Sequence, residues 1–124
     1  MDAAGIQALL AGYFVTVGVE TPVLVLGLSR SHPLAARVVA GLWLSACTYP
    51  IVAGVIPVLL DPSRNRAAYV AVAELFAPAA ECFLFCWAFR EEQALLSRRR
   101  DLGVIVLANL ASFLLGEWLV RPGP

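Results

Sequence analysis

Read for hydrophobicity alone, the chain alternates between long apolar runs and short polar links. The runs cover 6–28, 34–60, 67–89 and 102–120. Each is close to or beyond the roughly 20 residues that cross a hydrocarbon core of about 30 Å at about 1.5 Å per residue. Between them lie Ser29-Arg30-Ser31-His32-Pro33, then Asp61-Pro62-Ser63-Arg64-Asn65-Arg66, then a polar stretch from Arg90 to Asp101. Short links make consecutive helices antiparallel neighbours. The pattern predicts an all-α integral membrane protein with one domain over residues 1–124, a four-transmembrane-helix bundle running up-down-up-down.

Composition agrees with this reading. The chain is 60% hydrophobic and 15% charged, with a mean hydropathy of +0.81. A soluble domain of this size could not bury that much apolar surface, whereas a bilayer has no need to. Net charge is zero and every cationic side chain is Arg. No basic field of the kind nucleic acid requires is present. Met1-Asp2-Ala3-Ala4 offers no basic segment ahead of a first run that is itself too long for a secretion signal, so that run is read as a span.

Arginine placement predicts orientation. Links one and three with their flanks hold Arg30, Arg37, Arg90, Arg98, Arg99 and Arg100; the opposite side holds Arg64, Arg66 and Arg121. Six against three places links one and three in the cytoplasm and both termini outside, in a bacterial inner membrane. Trp87 falls near the inner end of its run and Trp118 near the outer end of the last, as interfacial aromatics do, while Trp43 lies deeper and is expected to pack. Ala108, Ser112 and Gly116 share a face on which small side chains permit close helix approach. Cys47, Cys82 and Cys86 read as small packed hydrophobes.

Against this apolar background the polar residues at depth carry the functional signal. With each run centred on the bilayer, Glu20 and Glu81 fall about 4–5 Å to the cytoplasmic side of the midplane, and Asn109 about 3 Å. Glu74 falls about 6 Å and Glu117 about 9 Å to the other side, with Thr48 and Tyr49 near the centre. Glu74 and Glu81 are two turns apart on one face, with Pro78 between them. A helical proline leaves the carbonyl four residues earlier without its donor, so Pro22, Pro50 and Pro78 free the carbonyls of Gly18, Ala46 and Glu74. Such oxygens survive in a membrane only against protein or a wet cavity.

An ionised Glu at the bilayer centre costs at least about 2.5–3.5 kcal/mol, and no Arg lies in the apolar runs at this depth. The acids are therefore expected to be protonated, to meet water or to bind a cation. Glu20, Glu74, Glu81 and Asn109 make a candidate ion site, with Thr48, Tyr49, Ser112 and Glu117 as its polar shell. Hard oxygen ligands suit Mg²⁺, Ca²⁺ or Mn²⁺, or protons. For Glu117 the plain alternative is an ion pair with Arg121 one turn later, and for His32 a solvated turn position. The expectation is a cation- or proton-linked transporter or channel, acting as a homodimer or larger homo-oligomer in the lipid bilayer. Two other readings remain open: an accessory subunit of a larger membrane complex, with the acids as interhelical glue, and a membrane-embedded enzyme with paired carboxyls. No phosphate loop, zinc-protease motif or hydrolase elbow points to catalysis.

Overall fold

The computed structural model describes residues 2–30, 32–89 and 95–120. Its elements are α1 (Ala3–Gly27), α2 (Leu34–Pro50), a π turn (Ile51–Val55), α3 (Ile56–Leu59), α4 (Arg66–Ala88) and α5 (Leu95–Val120), with no strand among the described residues. The π turn joins α2 and α3 into one continuous span. Four helices, at Ala3–Gly27, Leu34–Leu59, Arg66–Ala88 and Arg98–Leu119, are long and apolar enough to cross a membrane, and they form a helical bundle. They are called the first to fourth spans below.

Helix starts follow local chemistry. The Asp2 side chain accepts from the Gly5 N–H at 2.8 Å, and Asn65 does the same for Ala68 at 3.0 Å, each satisfying a first-turn donor that has no helical partner. Asp2 is why α1 begins ahead of its apolar run. The helix of the fourth span begins at Leu95, seven residues before its apolar run, and is continuous through Asp101. In the second link Asp61 accepts from the Ser63 hydroxyl at 2.7 Å and the Ser63 N–H at 2.9 Å. Those two bonds, the hydroxyl's first, hold its carboxyl below the usual range.

The polarity of the bundle is inverted relative to a water-soluble one. Phe14, Leu26, Val58, Leu75, Phe83 and Trp118 are exposed, while Glu20, Ser45, Thr48, Glu81 and Asn109 are buried. Lipid asks nothing polar of the outer faces, and the polar side chains turn to one another. An apolar cluster of Leu24, Leu28, Ala40, Leu44, Phe85, Ile105 and Ala108 fills the end of the bundle next to the first link. Trp43 packs against that cluster, as its depth suggested.

The first two spans cross closely at Gly41. A Cβ there would lie 2.9 Å from the Thr21 Cα, a backbone atom that cannot swing aside. Hydrocarbon gives helices little reason to associate except such close packing and hydrogen bonds. Gly41→Val is accordingly expected to destabilise the bundle by about 1–3 kcal/mol in detergent unfolding. Gly18→Ala, where a Cβ meets nothing within 4 Å, should leave the midpoint unchanged or slightly raised.

Candidate functional site

Two glutamates from odd spans meet four donors from even spans. Glu20 on α1 accepts from the Ser45 hydroxyl at 2.8 Å and the Ser112 hydroxyl at 2.7 Å, one on each carboxyl oxygen. Glu81 on α4 accepts from the Thr48 hydroxyl at 2.7 Å and the Asn109 amide at 2.6 Å, again one per oxygen. The donors come in pairs three residues apart, Ser45 and Thr48 on α2, Asn109 and Ser112 on α5, so each pair shares a helix face. Together the bonds close a ring that passes through all four spans in turn. Glu20 and Glu81 are both 2% exposed.

Two of the three hydroxyls in this ring, one for each acid, have a second acceptor within reach. Thr48 also lies 3.0 Å from the Leu44 carbonyl, and Ser112 lies 3.0 Å from the Asn109 carbonyl. A hydroxyl carries one hydrogen and can either donate to the carboxylate or accept from a carboxylic acid. When Glu81 is ionised, Thr48 donates to it. When Glu81 takes a proton it donates to Thr48, whose own hydrogen turns to Leu44. Glu20 and Ser112 repeat the arrangement with the Asn109 carbonyl. Both charge states of each acid are thus provided with hydrogen bonds, with no shift of the helices.

Beside the ring lies a cavity of about 120 Å³, lined by Thr16, Glu20, Tyr49, Glu74, Glu81 and Phe113 among others. At about 30 Å³ per liquid water this gives room for roughly four waters, and its carboxylates could supply the polar partners they need. Glu74 is half-buried in its wall, and nothing among the described residues hydrogen-bonds it. The residues picked out at depth therefore converge: Glu20, Glu81, Asn109, Thr48 and Ser112 in the ring, with Glu74 and Tyr49 lining the same cavity.

Among the described residues no three of His, Cys, Asp and Glu gather as a metal-ligand set. Asn109 turns its amide nitrogen, a donor, toward Glu81, so it supplies a hydrogen there and no ligand oxygen. Glu117 stands apart, ion-paired with Arg66 across the third and fourth spans. Its expected partner Arg121 lies outside the described residues. Ser45 had not been singled out, although its place three residues before Thr48 puts it on the same face.

His32 is the clearest correction. Expected in solvent, it is 1% exposed, because three spans close over it. Its Nε2 lies 2.9 Å from Asp101 Oδ2, and its ring meets Phe85 and Phe89 edge-on. Asp101, fully buried, also accepts from the Ser29 N–H at 2.7 Å. Arg37 donates to the His32 carbonyl at 3.2 Å and to Val25, and Arg100 to Gly27 at 3.0 Å. At Val25 and Gly27 these arginines satisfy carbonyls left over at the C-terminal end of α1, where a cation is also favoured by the helix dipole. The clasp fixes the start of α5 against the end of α1. From Asp101 a buried stripe through Ile105 and Ala108 leads to Ser112, so it also sets the register of the ring.

Asp101→Ala removes the acceptor for both Ser29 and His32 in a fully buried site. The expected loss is about 3 kcal/mol in detergent unfolding, with Asp101→Asn losing less because it keeps one acceptor. Comparison with protein-family models, with curated proteins and with solved structures returns no match.

Proposed function

We propose that this chain carries protons across a membrane, with Glu20 and Glu81 as the exchanging carboxyls and Glu74 as their link to the cavity water. The observation that carries the reading is the pairing of each ring acid with a hydroxyl that has a second acceptor ready, Thr48 with Leu44 and Ser112 with Asn109. Such a site can take up and release a proton by turning two O–H bonds. A divalent ion would instead have to displace four hydrogen bonds made by neutral donors. The cavity adds a second support, since waters beside Glu74 would bring protons to the ring. In this reading the spans cross up, down, up and down, with both termini outside.

A closed ring would also serve a bundle that only has to hold together as an accessory subunit. The two readings part over flux. In proteoliposomes with a trapped pH dye and a potassium-diffusion potential, the parent protein is expected to move protons inward. Glu81→Gln keeps shape and two hydrogen-bonding atoms but cannot ionise. Its flux should fall to the leak of protein-free vesicles, with the melting temperature little changed. A parent that moves no protons under any gradient would retire the proposal in favour of the accessory role. Orientation is read separately: reporters fused after Arg30 should report the cytoplasm, and reporters fused after Arg64 the outside.

A further inference from the structure

The protein has three tyrosines at membrane depth or near it, and two are tied down. Tyr13 donates to the Leu42 carbonyl at 3.0 Å, and Tyr69 to the Val52 carbonyl at 3.1 Å. Tyr49 makes no such bond with the described residues; its ring leans on Tyr13, centroids 6.1 Å apart. Its hydroxyl sits in a notch on α1 that exists because residue 12 is glycine: a Cβ there would overlap the hydroxyl. Tyr49 is therefore held by shape alone.

It also stands between two spaces. On its inner side is the carboxylate cavity. On its outer side is an apolar groove of about 250 Å³ between the first and second spans, lined by Leu9, Leu10, Tyr13, Ala46, Tyr49 and Pro50. Leu10, which lines this groove, is exposed, so the groove opens on the apolar outer surface of the bundle. The partner that fits it is an acyl chain of the bilayer, the apolar material such an outer surface would meet in a membrane. The residue after Tyr49 is Pro50, which lacks the N–H that would tie the Ala46 carbonyl and begins the irregular π turn. The backbone around the tyrosine thus has fewer internal bonds than a regular helix.

We infer that Tyr49 is a side door between the carboxylate cavity and the lipid-filled groove, so that the cavity is reached from within the bilayer. The inference rests on the proton-linked reading of the cavity for its purpose, and on the shared wall and the glycine notch for its geometry. With the ring seated at Gly12 the two spaces are separate. With the ring swung out toward Pro50, small lipid-soluble molecules pass between the first and second spans to Glu20, Glu74 and Glu81.

Carbodiimides test this directly, because they add covalently to carboxyl groups and come in lipid-soluble and water-soluble forms. Parent protein in proteoliposomes is treated with dicyclohexylcarbodiimide or with a charged, water-soluble carbodiimide, and the adduct is located by peptide mass. The lipid-soluble reagent is expected to modify the cavity glutamates faster than the water-soluble one. Minor open states are commonly populated at 10% or less, so removing the door with Tyr49→Ala should speed that labelling by about tenfold or more. Gly12→Ala, which evicts the ring from its notch, should act in the same direction. Tyr49→Phe, which loses a hydroxyl that bonds none of the described residues, should match the parent. Equal or faster labelling by the water-soluble reagent overturns the inference, as does an unchanged rate in whichever of Tyr49→Ala and Gly12→Ala folds. The parent's preference between reagents needs no substitution, so a variant that fails to fold does not leave the matter open. Labelling without proton flux would retire the proton reading and keep the door; flux without lipid-side labelling would do the reverse.

Discussion

Hydrocarbon offers a carboxyl group nothing to bond, and two glutamates sit where hydrocarbon would surround a lone helix. Glu20 and Glu81 can be there because each finds two donors on neighbouring spans, and finding them obliges the spans to come together. Individual hydrogen bonds between membrane helices are worth only about 0.6–2 kcal/mol each. Their number matters less than their arrangement. In a closed ring, withdrawing any one span strands an acid or two donors in a medium that cannot replace them. The same constraint explains the inverted polarity, with leucines and phenylalanines outside and serine, threonine and asparagine within.

A second polar assembly works at the end of the bundle beside the first link. Asp101 gathers Ser29 and His32, while Arg37 and Arg100 cover the last carbonyls of α1. One assembly therefore fixes where the helices start, and the other what they hold at mid-depth. Two stripes connect them, the buried Glu20-Leu24-Leu28 along α1 and its C-cap, and Asp101-Ile105-Ala108 on α5 leading to the part-buried Ser112, both advancing by three or four residues. A helix is stiff along such a stripe, so an error of register at Asp101 would be felt at Ser112.

How much of this was legible in the sequence depends on which signal each feature leaves. The spans were legible because bilayer thickness imposes a length on apolar runs, and the deep acids because they interrupt those runs. Thr48, Asn109 and Ser112 stood out for the same reason. Ser45 left little trace, since a serine in a membrane helix is common and its partner is on another span. The burial of His32 left none: it follows from Phe85, Phe89 and Asp101 arriving from more than fifty residues away. The start of α5 was hidden because charged residues read as a link even when one face of them is helical and packed.

The π turn at Ile51–Val55 makes the second span out of phase with itself. Pro57 has no N–H to give, and in a π register the carbonyl it would have met belongs to Val52; Tyr69 supplies the missing hydrogen from the third span. A π turn takes in one more residue than an α turn, so everything beyond it is rotated by about 100° relative to an uninterrupted helix. Thr48 and Ile56 are both buried although eight residues separate them, where a regular helix would bring back the seventh. The span behaves as two rulers offset by one division. Its inner half is matched to the ring and its outer half to the far packing, and the offset lets both matches hold on one continuous rod. Loss of a single residue between the two prolines would close the offset. The outer half would then turn Ile56 away from the bundle and leave the Val52 position without a reason to meet Tyr69.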